Sequence, residues 1–333
     1  LLTLLLAALC ISAASAVGAT TTTGRSANAD PSPDGSVGIR LLEAPLNRHD
    51  DPRALTSIVD HLAPGAVINR RLEISSTSSA PQHVEVYPSA VAIEHGSMVF
   101  APDRTANELT DWVTLDHTSL DLPPHGTAEV RATINVRPAA SSGERYAVIW
   151  AQVASRPDPS HTVTTVNRVG LRLYIDVGPG GEPPSDFQIG ELTATRTKDG
   201  QPEVLAQVHN TGQRALDLGG TLSLTDGPGS TNAGPFQVTH GTTLAPGDTA
   251  PVTVLLDPRL ADGPWTAHLT LVSGLVKRTA TATLTFAASP GSTSQGVLPQ
   301  TGWPTLGPVV AVIAAAGSLG LLLLAARRRT GRR

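Results

Sequence analysis

The sequence predicts an all-β protein: two tandem immunoglobulin-like β-sandwiches, with an N-terminal signal peptide and a C-terminal transmembrane helix. Three observations carry this. Apolar and polar residues alternate along the body of the chain, the period-2 signature of strands with one buried face. Turn formers are abundant, with 31 Gly and 27 Pro in 333 residues. No window of helical period with a proper start and stop interrupts the body. Short strands separated by Gly/Pro turns read as sandwiches, and the length allows two cores of ordinary size.

Taken in chain order, residues 1–29 form the signal peptide. Leu1 to Ile11 is an apolar run too short to span a bilayer, and Ala14-Ser15-Ala16 and Ala27-Asn28-Ala29 both fit the A-x-A cleavage pattern. Cys10, the one cysteine, lies in this leader after Leu9, where lipoprotein processing wants a small residue. Its position excludes a disulfide framework, a thiolate metal site and a cysteine nucleophile in the body.

The first sandwich is placed at 36–177. Val130, Ala132, Ile134 and Val136 face one way, while Glu129, Arg131, Thr133 and Asn135 face the other. Leu171, Leu173, Ile175 and Val177 alternate with Arg172, Tyr174 and Asp176. Tyr146 to Val153 is apolar on both faces, as in a central strand. A linker at 178–186 begins Gly178-Pro179-Gly180-Gly181-Glu182-Pro183-Pro184; it offers almost nothing to bury, so few contacts are expected to cross it. The second sandwich is placed at 187–288, where Ala282, Leu284 and Phe286 alternate with Thr281, Thr283 and Thr285.

A weak repeat at an offset of about 120 residues links the two halves. Leu122 to Gly126, Pro138 and Gly143-Glu144-Arg145-Tyr146 answer to Leu244 to Gly247, Pro258 and Gly263-Pro264-Trp265. Duplication and convergent sandwich grammar both account for it. In either, the aromatic opens a strand and packs between the sheets. Residues 289–297 form a polar stalk.

The remainder, 298–333, has three parts. Leu298-Pro299-Gln300-Thr301-Gly302 resembles the LPxTG sorting signal of Gram-positive surface proteins. It is followed by an uncharged apolar stretch at 306–326, about 30 Å long as a helix, and then by five arginines between Arg327 and Arg333. Positive residues stay cytoplasmic, so the body lies outside the cell. The resemblance implies that a sortase cysteine attacks the Thr301–Gly302 carbonyl and joins the chain to a cell-wall precursor. Removing Arg25 and the five tail arginines from 24 basic residues leaves 18 against 28 acidic ones, about −10. Nucleic-acid binding through a basic surface is therefore not expected.

Gly38-Ile39-Arg40-Leu41, Ser57-Ile58-Val59-Asp60, Leu62-Ala63-Pro64-Gly65 and the Gly143–Tyr146 segment resemble the WxL-interacting proteins of Gram-positive bacteria. Those pair an extracellular peptidoglycan-binding domain with a second immunoglobulin-like domain, a transmembrane helix and a basic tail. The resemblance implies peptidoglycan and WxL-type or other surface proteins as partners. It also implies retention in the cytoplasmic membrane, where the LPxTG signal implies wall attachment.

Catalytic signatures are absent: no HExxH, G-x-S-x-G, P-loop or GxGxxG occurs. No enzyme, cofactor or resident metal is expected. The candidate ligand loop is Arg48, His49, Asp50, Asp51 and Arg53, read as an exposed cluster of donors and acceptors where no core pattern constrains the chain. His117 and His125, near Asp116 and Asp121, read as turn residues before they read as a metal pair. Val84 to Ser89 faintly resembles a pilin motif, with Ser89 where the crosslinking lysine would stand. Neither Lys198 nor Lys277 is expected to be buried enough for an isopeptide.

Overall fold

The computed structural model describes residues 35–154, 165–239, 242–286 and 294–295. The segments read from the sequence as signal peptide (1–29), sorting pentapeptide (Leu298–Gly302) and transmembrane stretch (306–326) lie outside the described residues. Among those described, no helix is long and apolar enough to cross a membrane.

Two sandwiches follow one another. The first contains β1 (Val37–Leu41), a single helical turn α1 (Pro52–Thr56), β2 (Ile58–Leu62), β3 (Val67–Ser76), β4 (Gln82–Glu94), β5 (Ser97–Phe100), β6 (Val113–Leu115), β7 (Ser119–Leu122), β8 (Thr127–Asn135), β9 (Gly143–Ala154) and β10 (Val166–Val177). One sheet runs β1-β3-β8-β6 and the other β2-β10-β9-β4-β5, with β7 also on β4. β2 pairs with β10 in parallel, so the chain enters on one sheet with β1 and crosses to the other by way of α1. β9 is central, as its two apolar faces predict.

The alternation sorts as expected. Val130, Ala132, Ile134 and Val136 are fully buried between the sheets with Leu72, Ile74 and Ile149. Each of the Val, Leu and Ile side chains among them contributes about 1.5–3 kcal/mol of hydrophobic stabilisation. The second sandwich contains β11 (Phe187–Arg196), β12 (Pro202–Asn210), β13 (Leu216–Gly227), β14 (Thr231–Gln237), β15 (Thr242–Leu244), β16 (Thr249–Leu255), β17 (Trp265–Ser273), β18 (Val276–Leu284) and the two-residue β19 (Ser294–Gln295). Its sheets run β16-β12-β11-β19 and β14-β13-β17-β18, with β15 also on β13. Ala282, Leu284 and Phe286 lie in its core.

The repeat maps onto equivalent strands: β8 and β16 each lie in one sheet, and β9 and β17 each follow in the opposite one. The aromatics diverge. Trp265 packs between the sheets, but Tyr146 shares a face with Val148 and Trp150, outside the sandwich. The reason is parity: Ala147, Ile149 and Ala151 take the core face of β9, which turns its even-numbered residues outward.

The linker departs from the free spacer its composition suggests. Gly178 N–H donates to Leu62 O at 3.1 Å, and Gln213 N–H donates to Pro184 O at 2.8 Å. Glu182 forms ion pairs with Arg48 and Arg214. Backbone carbonyls and one carboxylate dock the segment, whose only apolar side chains are prolines.

Candidate functional site

Two places outside the cores gather unusual chemistry, and both depend on the outer face of the β2-β10-β9-β4-β5 sheet.

The first is the joint between the sandwiches. Tyr174 and Asp176 sit on the polar side of β10, yet both are almost completely buried: the second sandwich packs over Tyr174, and Asp176 pairs with His61 of the neighbouring β2. Ala215 enters a small apolar cluster with Ala54, Val59 and Tyr174. Around it lies an ionic network that spans the chain. Glu144, on β9, accepts from Arg214 Nε at 2.7 Å and from Tyr146 OH at 3.1 Å, and also takes the Ala215 N–H. Asp217 accepts from Arg53 Nε at 3.0 Å, Arg172 Nη1 at 3.0 Å, Tyr174 OH at 2.9 Å and Thr243 OH at 2.9 Å. The side chains of Arg214 and Glu144 are each only 1% exposed.

This joint absorbs the sequence-predicted ligand loop, and that expectation needs correcting. Asp51 caps α1 by accepting from Arg53 N–H at 2.9 Å, with Pro52 in the first turn. Arg48 pairs with Asp51 at 3.3 Å and with Glu182. Arg53 donates to Ala215 O at 2.8 Å and lies over the Tyr174 ring at 4.5 Å. Burial works against the Arg53 charge, but Asp217, with further help from Tyr174, Glu144 and Asp51, outweighs it and raises the pKa. Only His49 and Asp50 remain exposed. The loop lacks a core pattern because it is held by charges: Asp51 works within the loop, while Arg48 and Arg53 reach Glu182 and Asp217, more than 100 residues away.

Burial pushes the Tyr146 and Tyr174 phenols well above their usual range, with the carboxylates of Glu144 and Asp217 adding to it. The folded state therefore holds these two protons more tightly than the unfolded chain, whose tyrosines titrate near about 10. Their contribution is intact below that pH and is lost as pH rises beyond it. In an ultraviolet alkaline titration, both phenolate signals should emerge together with loss of β circular dichroism. Smooth titration of all three tyrosines in a folded protein would contradict the joint.

The second place is an aromatic and arginine face. The outward residues of β9 include Tyr146, Val148 and Trp150, and β4 adds Tyr87 and Val91. Phe100 meets Trp150 edge to face, with centroids 5.2 Å apart. Arg168 lies over Trp150 at 4.4 Å, and Arg104 over Tyr87 at 4.2 Å. Gly170 stands opposite Trp150 in the ladder; a Cβ there would come within 2.8 Å of the indole and 2.5 Å of Val148. The indole needs that space to lie across the sheet. Trp150 Nε1 is buried without an acceptor. Beside it opens a cavity of about 390 Å³ lined by Met98, Phe100, Trp150, Gly170, Arg172 and Thr243, among others. The signal was in the sequence, since Tyr146–Val153 is apolar on both faces, but only the first face reads as core.

The other expected residues are placed plainly. His117 pairs with Asp116 at 3.1 Å, while Asp121 pairs with His83 at 2.8 Å instead. Among the described residues, no three potential metal ligands cluster. Lys198 and Lys277 are exposed, and Ser89 is fully buried with its hydroxyl unpaired.

No family model and no curated protein matches the chain. Among solved structures it is similar to the Pseudomonas aeruginosa CupB2 chaperone, at 14% identity over 69% of this chain and 97% of that one, TM-score 0.36. It is similar also to the E. coli chaperone DraB, at 13% identity over 75% and 99%, TM-score 0.39. A third is the Salmonella enterica SafA pilin in complex with the SafB chaperone, at 11% identity over 74% and 95%, TM-score 0.40. The likeness is one of fold alone.

Proposed function

We propose that this chain is a non-catalytic, exported surface protein, anchored to the cell wall by sortase, whose first sandwich binds peptidoglycan. The observation that carries the binding is the Tyr87–Trp150–Phe100 face with Arg104 and Arg168 stacked on it. Tyr87 and Trp150 are themselves almost buried, so a ligand meets the exposed Phe100 ring and the guanidinium groups held over the other two rings; an exposed ring suits the apolar face of a sugar, and guanidinium groups suit its hydroxyls and carboxylates. On a product of net charge about −10, such a local cationic patch favours a specific contact over general electrostatic adhesion. Anchoring rests on Leu298–Gly302, the apolar 306–326 stretch and the arginine tail, in that order.

The intact chain should sediment with purified insoluble wall material even at high salt, where screening removes charge-only adhesion. Failure to sediment would turn the reading toward a surface-protein partner. Anchoring has its own test. Mass spectrometry of the wild-type C-terminal peptide should find Thr301 joined to a wall peptide, whereas Thr301→Ala should keep the Arg327–Arg333 tail in the membrane fraction. An intact tail on most of the wild-type protein would instead establish a membrane-retained scaffold.

A further inference from the structure

The cavity beside Trp150 belongs to the aromatic face, but both sandwiches build it. Its floor is β10 at Gly170, where a Cβ would come within 2.5 Å of Val148 and 2.8 Å of the indole. One wall is the β4–β5 hairpin, which carries Met98 and Phe100. Thr243, on β15 of the second sandwich, forms another. The second sandwich also holds the hairpin in place. Thr243 N–H donates to Gly96 O at 2.9 Å, and Gly96, at φ +75°, lies so near Ala250 that a Cβ would meet it at 2.6 Å.

Arg172 is the one charged residue lining this cavity. It donates from Nη1 to Asp217 at 3.0 Å, and its side chain is 36% exposed. Its other N–H groups have no acceptor among the described residues, and none of them is shut away from solvent. Arg172 is also the fourth arginine of a joint that holds four carboxylates, Asp51, Glu144, Glu182 and Asp217. Charge there is balanced, so the open N–H groups call for an acceptor and not for a counter-charge.

The geometry points to this cavity as the subsite for the acetamido group of an amino sugar. The inference rests on the proposed wall binding and names the group recognised. An acetamido group is neutral, offers a carbonyl acceptor and ends in a methyl. Its oxygen can accept from Arg172 while its methyl lies against Met98, Phe100 and the bare Gly170 floor. A carboxylate or phosphate would add net charge to a balanced joint, and a plain hydroxyl would leave the apolar walls without a contact. The cavity, about 390 Å³, falls in the range of small-molecule sites. Each sugar of a peptidoglycan strand carries such a group, and the exposed Phe100 ring stands at the mouth for the pyranose that follows it.

The test uses the intact chain and two neutral trisaccharides, β-1,4-linked N-acetylglucosamine and β-1,4-linked glucose. They differ in bearing an acetamido group or a hydroxyl at C2. In titration calorimetry the acetylated sugar should bind at least about tenfold more tightly. Arg172→Met keeps a long side chain without donors and should bring the two affinities together. Because both sugars are read on the same variant, a loss of stability cannot imitate that result. Equal affinities on the wild type, binding of neither sugar, or an undiminished preference in Arg172→Met would each overturn the subsite. Sedimentation of the same preparation with wall material separates the two readings. Sedimentation without any acetamido preference overturns the subsite alone, whereas no sedimentation and no sugar binding removes the proposed function with it.

Discussion

Arg214→Ala should lower the free energy of unfolding by about 3–5 kcal/mol, the usual cost of removing one partner from a buried ion pair. The side chain is 1% exposed and reaches Glu144 from one sandwich to the other. Its loss leaves Glu144 in a dry joint with only Tyr146 OH and the Ala215 N–H as donors. Urea unfolding of the wild type and variant gives the number directly. Arg214→Met combined with Glu144→Leu should recover much of the loss, since replacing both charges removes the desolvation penalty as well as the attraction. The same reasoning applies to residues 36–177 expressed alone. That piece would expose Val59, Ala54 and Tyr174 and strip Glu144 of its guanidinium, so it should melt well below the intact chain. A loss under about 1 kcal/mol for Arg214→Ala would mean the two sandwiches hold together without this network.

The second large effect concerns wall binding. Phe100→Ala together with Arg168→Ala should weaken sedimentation with wall material about a hundredfold, or ~2.7 kcal/mol. Both residues flank the Trp150 indole and both are exposed, so the sandwich core does not depend on them. The melting temperature should therefore change little. Gly170→Val approaches the same face from beneath: its added side chain drives against Trp150 and Val148, and should impair binding without altering a charge. Unchanged sedimentation in both variants would remove the aromatic face from the proposed function.

Much of the fold was legible because strand periodicity is local. Val130, Ala132, Ile134 and Val136 announce their common face within seven residues, and the structure buries all four. The Gly/Pro turns before β8 and β16 were legible for the same reason, since each restricts its own backbone. The candidate sites were less so. Tyr146, Val148 and Trp150 give β9 a second apolar face, but period alone cannot say whether it meets another domain, a ligand or water. The linker misled for a related cause: composition shows what a segment lacks, and Glu182 with a few carbonyls was enough to dock it.

By itself, then, the sequence determined the all-β class, the two sandwiches and the central place of β9, because alternation and turn chemistry act between near neighbours. Tertiary structure alone decided that Arg53 answers to Asp217 and Glu144 to Arg214, pairs separated by 164 and 70 residues. A charge carries no record of its partner; it reads as solvated until folding brings its counterpart into the same dry joint. That is why Arg48, Asp51 and Arg53 read as an open loop in the chain and lie, once folded, at the joint between its two halves.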